Sequence, residues 1–143
     1  MIPRLGERVR PESRYRYRPG AYVLLPRNGR VLLTFQGDPH FEYQLPGGGI
    51  DPGEHVLPAL HREVLEETGW KIAAPRRIGC FRRFVYMPEY DMMAEKVCHI
   101  FLARPVRRIS EPIEPDHRPV WMTFKKAASL VANPIDATVL EWL

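Results

Sequence analysis

Three consecutive glycines, Gly47-Gly48-Gly49, followed shortly by a stretch carrying Glu63, Glu66 and Glu67, constrain this chain more than any other feature. Glycine has no Cβ, so a run of it lets backbone approach a neighbour or ligand closely. Pro46-Gly47-Gly48-Gly49 is expected to break regular structure, and Pro52-Gly53 marks a turn. The pattern then predicts a helix from Val56 to Thr68 that stops at Gly69. Pro58 falls in its first turn, where a missing N–H costs little. The three glutamates stand at i, i+3 and i+4, hence on one helical face. Like charges at that spacing destabilise a helix unless something neutralises them. Two readings stand side by side: a solvated acidic face, or oxygen ligands for magnesium, which takes carboxylates together with substrate phosphates. The glycines beside the helix argue for the second.

Around this centre the chain reads as alternating strands and helices. Ala21 to Leu25 is a predicted strand, and Asn28-Gly29 signals a tight turn into a second, Val31 to Phe35. Gly37 to Phe41 reads as a loop and Tyr43 to Leu45 as a short, partly apolar stretch. Ile78 to Tyr86 and Lys96 to Ala103 are longer strands, separated by an acidic segment, Met87 to Glu95. Val120 to Thr123 is a short strand, and Phe124 to Val131 and Pro134 to Leu143 read as helices. This order predicts a single α/β domain, a mixed sheet covered by helices, over residues 19–143. Residues 1–18, rich in Arg and Pro without a clear period, are expected to form an N-terminal arm or edge element.

At 143 residues, 45% hydrophobic and 27% charged, the chain is long enough and apolar enough for one real core. Its net charge of +4 suits an anionic small molecule or a nucleic acid and decides between neither. The arginines are spread along the chain, which reads as solvated surface rather than a dedicated nucleic-acid face. Cys80 and Cys98 lack the spacing of a zinc site and are too few for a disulfide scaffold; both read as small buried hydrophobes. The longest uncharged run near the N-terminus, Pro19 to Pro26, is strand-sized and far short of a membrane span. No secretory pattern precedes it, so the expectation is a soluble, cytoplasmic protein with no membrane partner. No Lys-Ser or Lys-Thr follows the glycines and no G-x-S-x-G is present, which disfavours a nucleotide-driven motor and a serine hydrolase.

The segment running Gly48, five residues, Glu54, seven residues, then Arg62-Glu63-Val64-Leu65-Glu66-Glu67-Thr68-Gly69-Trp70 resembles the signature of the Nudix hydrolases, with the expected residue type at every defining position. The layout from the first hairpin through Trp121 to the last helix is also similar. The resemblance implies an α/β/α sandwich with a mixed β-sheet, and metal-dependent hydrolysis of a diphosphate linkage in a nucleoside diphosphate derivative. It implies Mg2+ as cofactor, with Mn2+ as an alternative. Glu66 and Glu67 resemble direct metal ligands, and Glu63 the residue that holds a second metal or the attacking water. The Gly47 carbonyl is the implied backbone ligand, and Glu54 with Arg62 resembles a brace between loop and helix. The chemistry agrees with the residue types: a diphosphate repels hydroxide, and a carboxylate-held cation offsets that charge and activates water. The arm before Tyr17 belongs to no common core of the family.

Family members often supply one more carboxylate from a later loop. Glu111, Glu114 and Asp116 precede the strand that carries Trp121, and Glu114, central in that loop, is favoured; a solvated loop bounded by prolines is the plain alternative. The substrate class implied first is a purine nucleoside triphosphate, oxidised purines included, split into monophosphate and diphosphate. Asn133 sits where some members read the purine, although Asn133-Pro134 also fits an ordinary helix cap. His117 lies in the loop before Trp121, where it would touch substrate, and Phe41 and Tyr90 are candidates to stack on a base. ADP-ribose, a dinucleoside polyphosphate, an RNA 5′ end favoured by the basic arm, and a non-catalytic nucleotide-binding regulator remain as alternatives. The sequence leaves the oligomeric state open and allows a homodimer.

Overall fold

The computed structural model describes all residues, Met1 to Leu143. Strand β1 (Arg16–Leu24) is central to the first sheet. Its second half, with Leu25, is an uninterrupted apolar run, as expected of a strand covered on both faces. It pairs in parallel with β7 (Met92–Arg108), from Arg16 opposite Ala94 to Leu24 opposite Leu102. β6 (Trp70–Met87) pairs antiparallel with β7 on the far side and β5 (Gly47–Gly49) with β1 on the near side, giving the order β5-β1-β7-β6. β2 (Pro26–Arg27), β3 (Arg30–Gln36), β4 (Glu42–Gln44) and β8 (His117–Thr123) form the second sheet, with β3 between β8 and β4. Asn28 and Gly29 both have positive φ, 51° and 76°, which is what a two-residue hairpin turn requires.

The glycines depart from the sequence reading. Gly47–Gly49 is not a break but a short strand, β5, paired antiparallel with β1 through Gly20–Tyr22. It forms because nothing larger fits: a Cβ on Gly47 would collide with the Ala21 carbonyl and the Tyr22 backbone. Trp70–Arg77, unassigned from the sequence, begins β6 directly after the helix.

Helix α1 (Val56–Thr68) spans the predicted range, and Gly69 ends it with φ 76° while donating its N–H to Leu65 O. Leu60 and Val64 pack on one side of the sheets, against Ala21, Val23, Leu25, Leu32 and Phe101. On the other side α2 (Phe124–Leu130) and α3 (Pro134–Leu140) bury Ala127, Ile135, Val139 and Leu140 against Leu24, Leu33, Leu45 and Ile100. Each such aliphatic side chain contributes about 1.5–3 kcal/mol relative to leaving it in water. The result is an α/β/α sandwich with mixed strand directions. No helix is long and apolar enough to cross a membrane.

The N-terminal residues lie on this body. Arg82 N donates to Pro3 O, and Leu5 N donates to Arg82 O. Leu5 packs against the core, Tyr15 meets Phe84 edge to face, and Glu7 pairs with Arg83 at 3.1 Å. Residues Arg16–Arg18 are part of β1 rather than of an arm.

Candidate active site

Because Leu60 and Val64 face the sheet, Glu67, one turn further, is carried against β5 and is only 6% exposed. The Gly47 N–H donates to its Oε1 at 3.0 Å. Its Oε2 lies 3.4 Å from His117 Nε2, while His117 Nδ1 is 3.0 Å from the Thr34 hydroxyl. A hydroxyl donating to Nδ1 would fix the tautomer that presents Nε2–H to Glu67. Burial holds His117 below the usual imidazole range, hence neutral. Glu63 presses on the strand instead: a Cβ on Gly48 would come within 2.5 Å of its carboxyl carbon, so the middle glycine makes room for that carboxylate.

Arg62 organises the exposed side of the cluster. It grips Glu54 with two bonds, Nε to Oε2 at 2.7 Å and Nη2 to Oε1 at 2.9 Å. Its remaining donors reach Glu63 Oε1 at 3.0 Å, Glu66 Oε2 at 3.2 Å and the Gly49 carbonyl at 3.2 Å. Bonding to Arg62 brings the Glu54 carboxyl down to about 2. Glu54 and Arg62 therefore join the loop before α1 to the helix and to β5.

Glu114 approaches from the opposite side. The loop after β7 caps α1, with Ile113 N and Glu114 N both donating to the Glu66 carbonyl, at 2.8 and 3.1 Å. Burial pushes Glu63 and Glu67 above the usual carboxylate range, Glu67 by far the more, and mutual repulsion within the set, Glu114 included, adds to it. This is a semi-buried acidic cluster whose only close cation is Arg62. Arg62 holds Glu63 and Glu66 while Glu67 bonds to Gly47, so the side chains do not converge on one point. The all-oxygen donor set and the excess negative charge fit a hard divalent cation.

Glu67 and the three glycines line a cleft of about 350 Å³. Three of the four substrate candidates, His117, Tyr90 and Asn133, line it. Phe41 does not: it lies outside the cleft at 66% exposure, in a left-handed turn with φ 48°. His117 is committed to Thr34 and Glu67 rather than standing free. Asn133 is the N-cap of α3, Oδ1 accepting from Ile135 N at 2.8 Å, and no hydrogen bond engages its Nδ2. Arg18 lies over the Tyr90 ring, 4.9 Å from its centre, and His40 bonds Glu89 at the rim.

The sequence reading missed Lys96 and Asp136, which also line the cleft. Both carried a signal. Lys96 shares a strand face with Cys98 and Ile100, and Asp136 shares the buried helix face of Ile135, Val139 and Leu140. Asp136 is 4% exposed, and burial pushes its carboxyl up from 3.8 to about 7. The unfolded chain therefore ionises first: the group's contribution to stability is full below about pH 4, declines as pH rises towards 7, and levels off above. Asp136→Asn, which keeps an acceptor for Leu45 N, is expected to flatten that slope and to raise stability at alkaline pH by on the order of a few kcal/mol, read from urea titrations across pH.

The site is thus a buried carboxylate cluster beside a glycine strand, set in a cleft of an α/β/α sandwich. The profile of the NUDIX domain matches residues 15–143, and the chain belongs to the Nudix hydrolase family. A Danio rerio protein named oxidized purine nucleoside triphosphate hydrolase is 34% identical over 107 residues, 73% of this chain and 65% of that protein. An RNA pyrophosphohydrolase of Helicobacter pylori strain G27 is 41% identical over 59 residues, 38% of each. The chain thus spans less than two thirds of the length of either relative. A NUDIX hydrolase structure from Nitrosomonas europaea superposes with a TM-score of 0.73 at 17% identity, covering 88% of this chain and 87% of that one, which is a likeness of fold.

Proposed function

We propose that the chain is a divalent-cation-dependent pyrophosphohydrolase whose substrate is a purine nucleoside triphosphate, oxidised purines included, released as monophosphate and diphosphate. The observation that carries this reading is Glu67, buried beside β5, bonded to Gly47 N–H and facing a cleft of nucleotide size. Glu63, Glu66, Glu67, Glu114 and the Gly47 carbonyl would hold Mg2+ or Mn2+. When bound, the cation neutralises the diphosphate and supplies an activated water. The chain's own residues do the rest. Arg62 and Glu54 fix the helix against the glycine strand, which sets the geometry of the acidic side chains. His117 orients Glu67 from behind. Arg18 and Tyr90 offer a positive, aromatic rim to an anionic substrate.

The names of the Danio rerio relative and of the Helicobacter pylori relative support two substrate classes, a triphosphate and an RNA 5′ end, and the basic N-terminal residues give the second some footing. A parallel turnover screen of ordinary and oxidised nucleoside triphosphates, ADP-ribose, dinucleoside polyphosphates and 5′-triphosphorylated RNA tests the assignment. Preference for any class but the triphosphates overturns the substrate, and nucleotide binding without turnover across the panel favours a regulator. Glu114→Gln is expected to lower cation-dependent turnover severalfold; unchanged kinetics would move that role to Glu111 or Asp116.

A further inference from the structure

One end of the cleft is floored by one face of the first sheet. Arg18 and Tyr22 of β1 alternate there with Gly20, beside Lys96, Cys98 and Ile100 of β7. Gly20 allows Tyr22 to fold back, since a Cβ there would come within 2.8 Å of its ring. The Lys96 ammonium lies 5.7 Å from the centre of that ring. The phenol beside it raises its pKa and burial opposes this, so it is charged at neutral pH. No carboxylate comes within 4.0 Å of it. Arg83, its cross-strand neighbour, is already engaged by Glu7.

Asp136 closes the same end from α3. Its Oδ2 accepts from Leu45 N at 3.1 Å, and its Oδ1 has no protein partner. Every fully enclosed side-chain oxygen or nitrogen in the protein has a hydrogen-bond partner, so Oδ1 must open onto the cleft. The Lys96 ammonium, without an ion pair, opens there too. One wall therefore presents a charged donor and a free carboxylate oxygen, not paired with each other, in the cleft that Glu67 also lines.

We propose that Lys96 and Asp136 read the base of the substrate, Lys96 donating to an exocyclic carbonyl oxygen and Asp136 accepting the adjacent ring N–H, so that keto purines are selected over adenine. This rests on the reading of the cleft as a nucleotide site. The two residues do different work. Adenine in that pose turns an unprotonated ring nitrogen towards Asp136, acceptor against acceptor, so Asp136 also disfavours it. An ammonium has only donors, and a partly buried one needs a strong acceptor. An exocyclic oxygen projects beyond the ring and offers two lone pairs, whereas the amine of adenine would point donor at donor. Lys96 and Asp136 thus discriminate together.

Isothermal titration of the full chain with GMP, IMP and AMP, without divalent cation and at mildly alkaline pH, tests this apart from hydrolysis. GMP and IMP are expected to bind about tenfold or more tightly than AMP, as a site built to pair a polar group rejects the analogue that lacks it. Lys96→Met should remove most of the difference, with thermal melting checking the fold; Lys96→Gln, which keeps a donor without the charge, should retain more of it. Asp136→Asn, keeping its oxygen on Leu45, turns an amide NH2 into the cleft and should weaken GMP severalfold. Equal binding of GMP and AMP, a preference undiminished by Lys96→Met, or no binding of any monophosphate overturns the proposal. Turnover without base preference would sink this inference and leave the hydrolase reading standing. Base-selective binding with no turnover under any cation would do the reverse.

Discussion

Glu67→Gln is expected to reduce cation-dependent turnover by roughly 10²- to 10³-fold or more, the range produced by loss of one preorganised electrostatic partner of the transition state. The variant keeps the side chain's shape and an acceptor for Gly47 N–H, so the strand and helix stay joined. Its amide nitrogen faces His117 Nε2 in place of an oxygen, a small cost. The Thr34 hydroxyl can accept as well as donate, and so lets the imidazole take the tautomer that accepts at Nε2. Removing a buried carboxylate that is held above its ordinary range also relieves desolvation. The cation-free variant should therefore melt no lower than the wild type while losing the added stability that Mg2+ gives. Melting curves with and without Mg2+, beside a turnover assay, separate this from a structural role. Full turnover in the variant, or in excess chelator, would sink the mechanism.

Gly69→Ala is expected to lower stability by about 3–5 kcal/mol and Tm by roughly 10 °C. Gly69 combines a left-handed φ of 76° with a close approach: a Cβ would run into the carbonyl of Ser110. That second term is what exceeds the usual penalty of about 1–3 kcal/mol for a non-glycine residue in a sparsely populated conformation. The Gly69 carbonyl accepts from Ile109 N and Ser110 N, at 2.8 and 3.3 Å, and so ties the loop bearing Glu114 to the end of α1. The same substitution should cost activity beyond the unfolded fraction, by displacing Glu114 from the cluster. Urea titration and turnover on the folded fraction check the two halves. A loss below about 1 kcal/mol would mean that the loop gives way freely.

What the sequence made legible was local. Helix α1 was readable to both ends because its apolar stripe, its first-turn Pro58 and the Gly69 stop all act within a turn of the backbone. The Asn28-Gly29 hairpin was readable for the same reason. The start of β6 was not: register shifts at Lys71/Ile72, Ala73/Arg76 and Arg77/Gly79 erase the alternation that marks a strand. β5 was hidden because glycine has little strand preference of its own, and only the closeness of Ala21 and Tyr22 makes a strand of it. The site divides along the same line. Glu54, Arg62, Glu63, Glu66 and Glu67 are neighbours along the chain, and the structure gathers them with β5. The contacts of His117 with Thr34 and Glu67, and the meeting of Lys96 and Asp136 in one cleft, depend on pairings of strands and helices far apart in sequence.

The bulges in β6 and the N-terminal residues lying along it have a joint effect on how the chain behaves among copies of itself. β6 is the outer strand of its sheet, long, and free of a neighbouring strand on one side. A regular edge of that length is a template on which another chain can add a strand and begin to aggregate. Here the first half is broken by three register shifts and carries Pro75, which has no N–H to offer. In the second half, Arg82 has both its N–H and its carbonyl taken by Pro3 and Leu5. The residues ahead of β1 thus act as a guard rail, removing the grip an incoming strand would need.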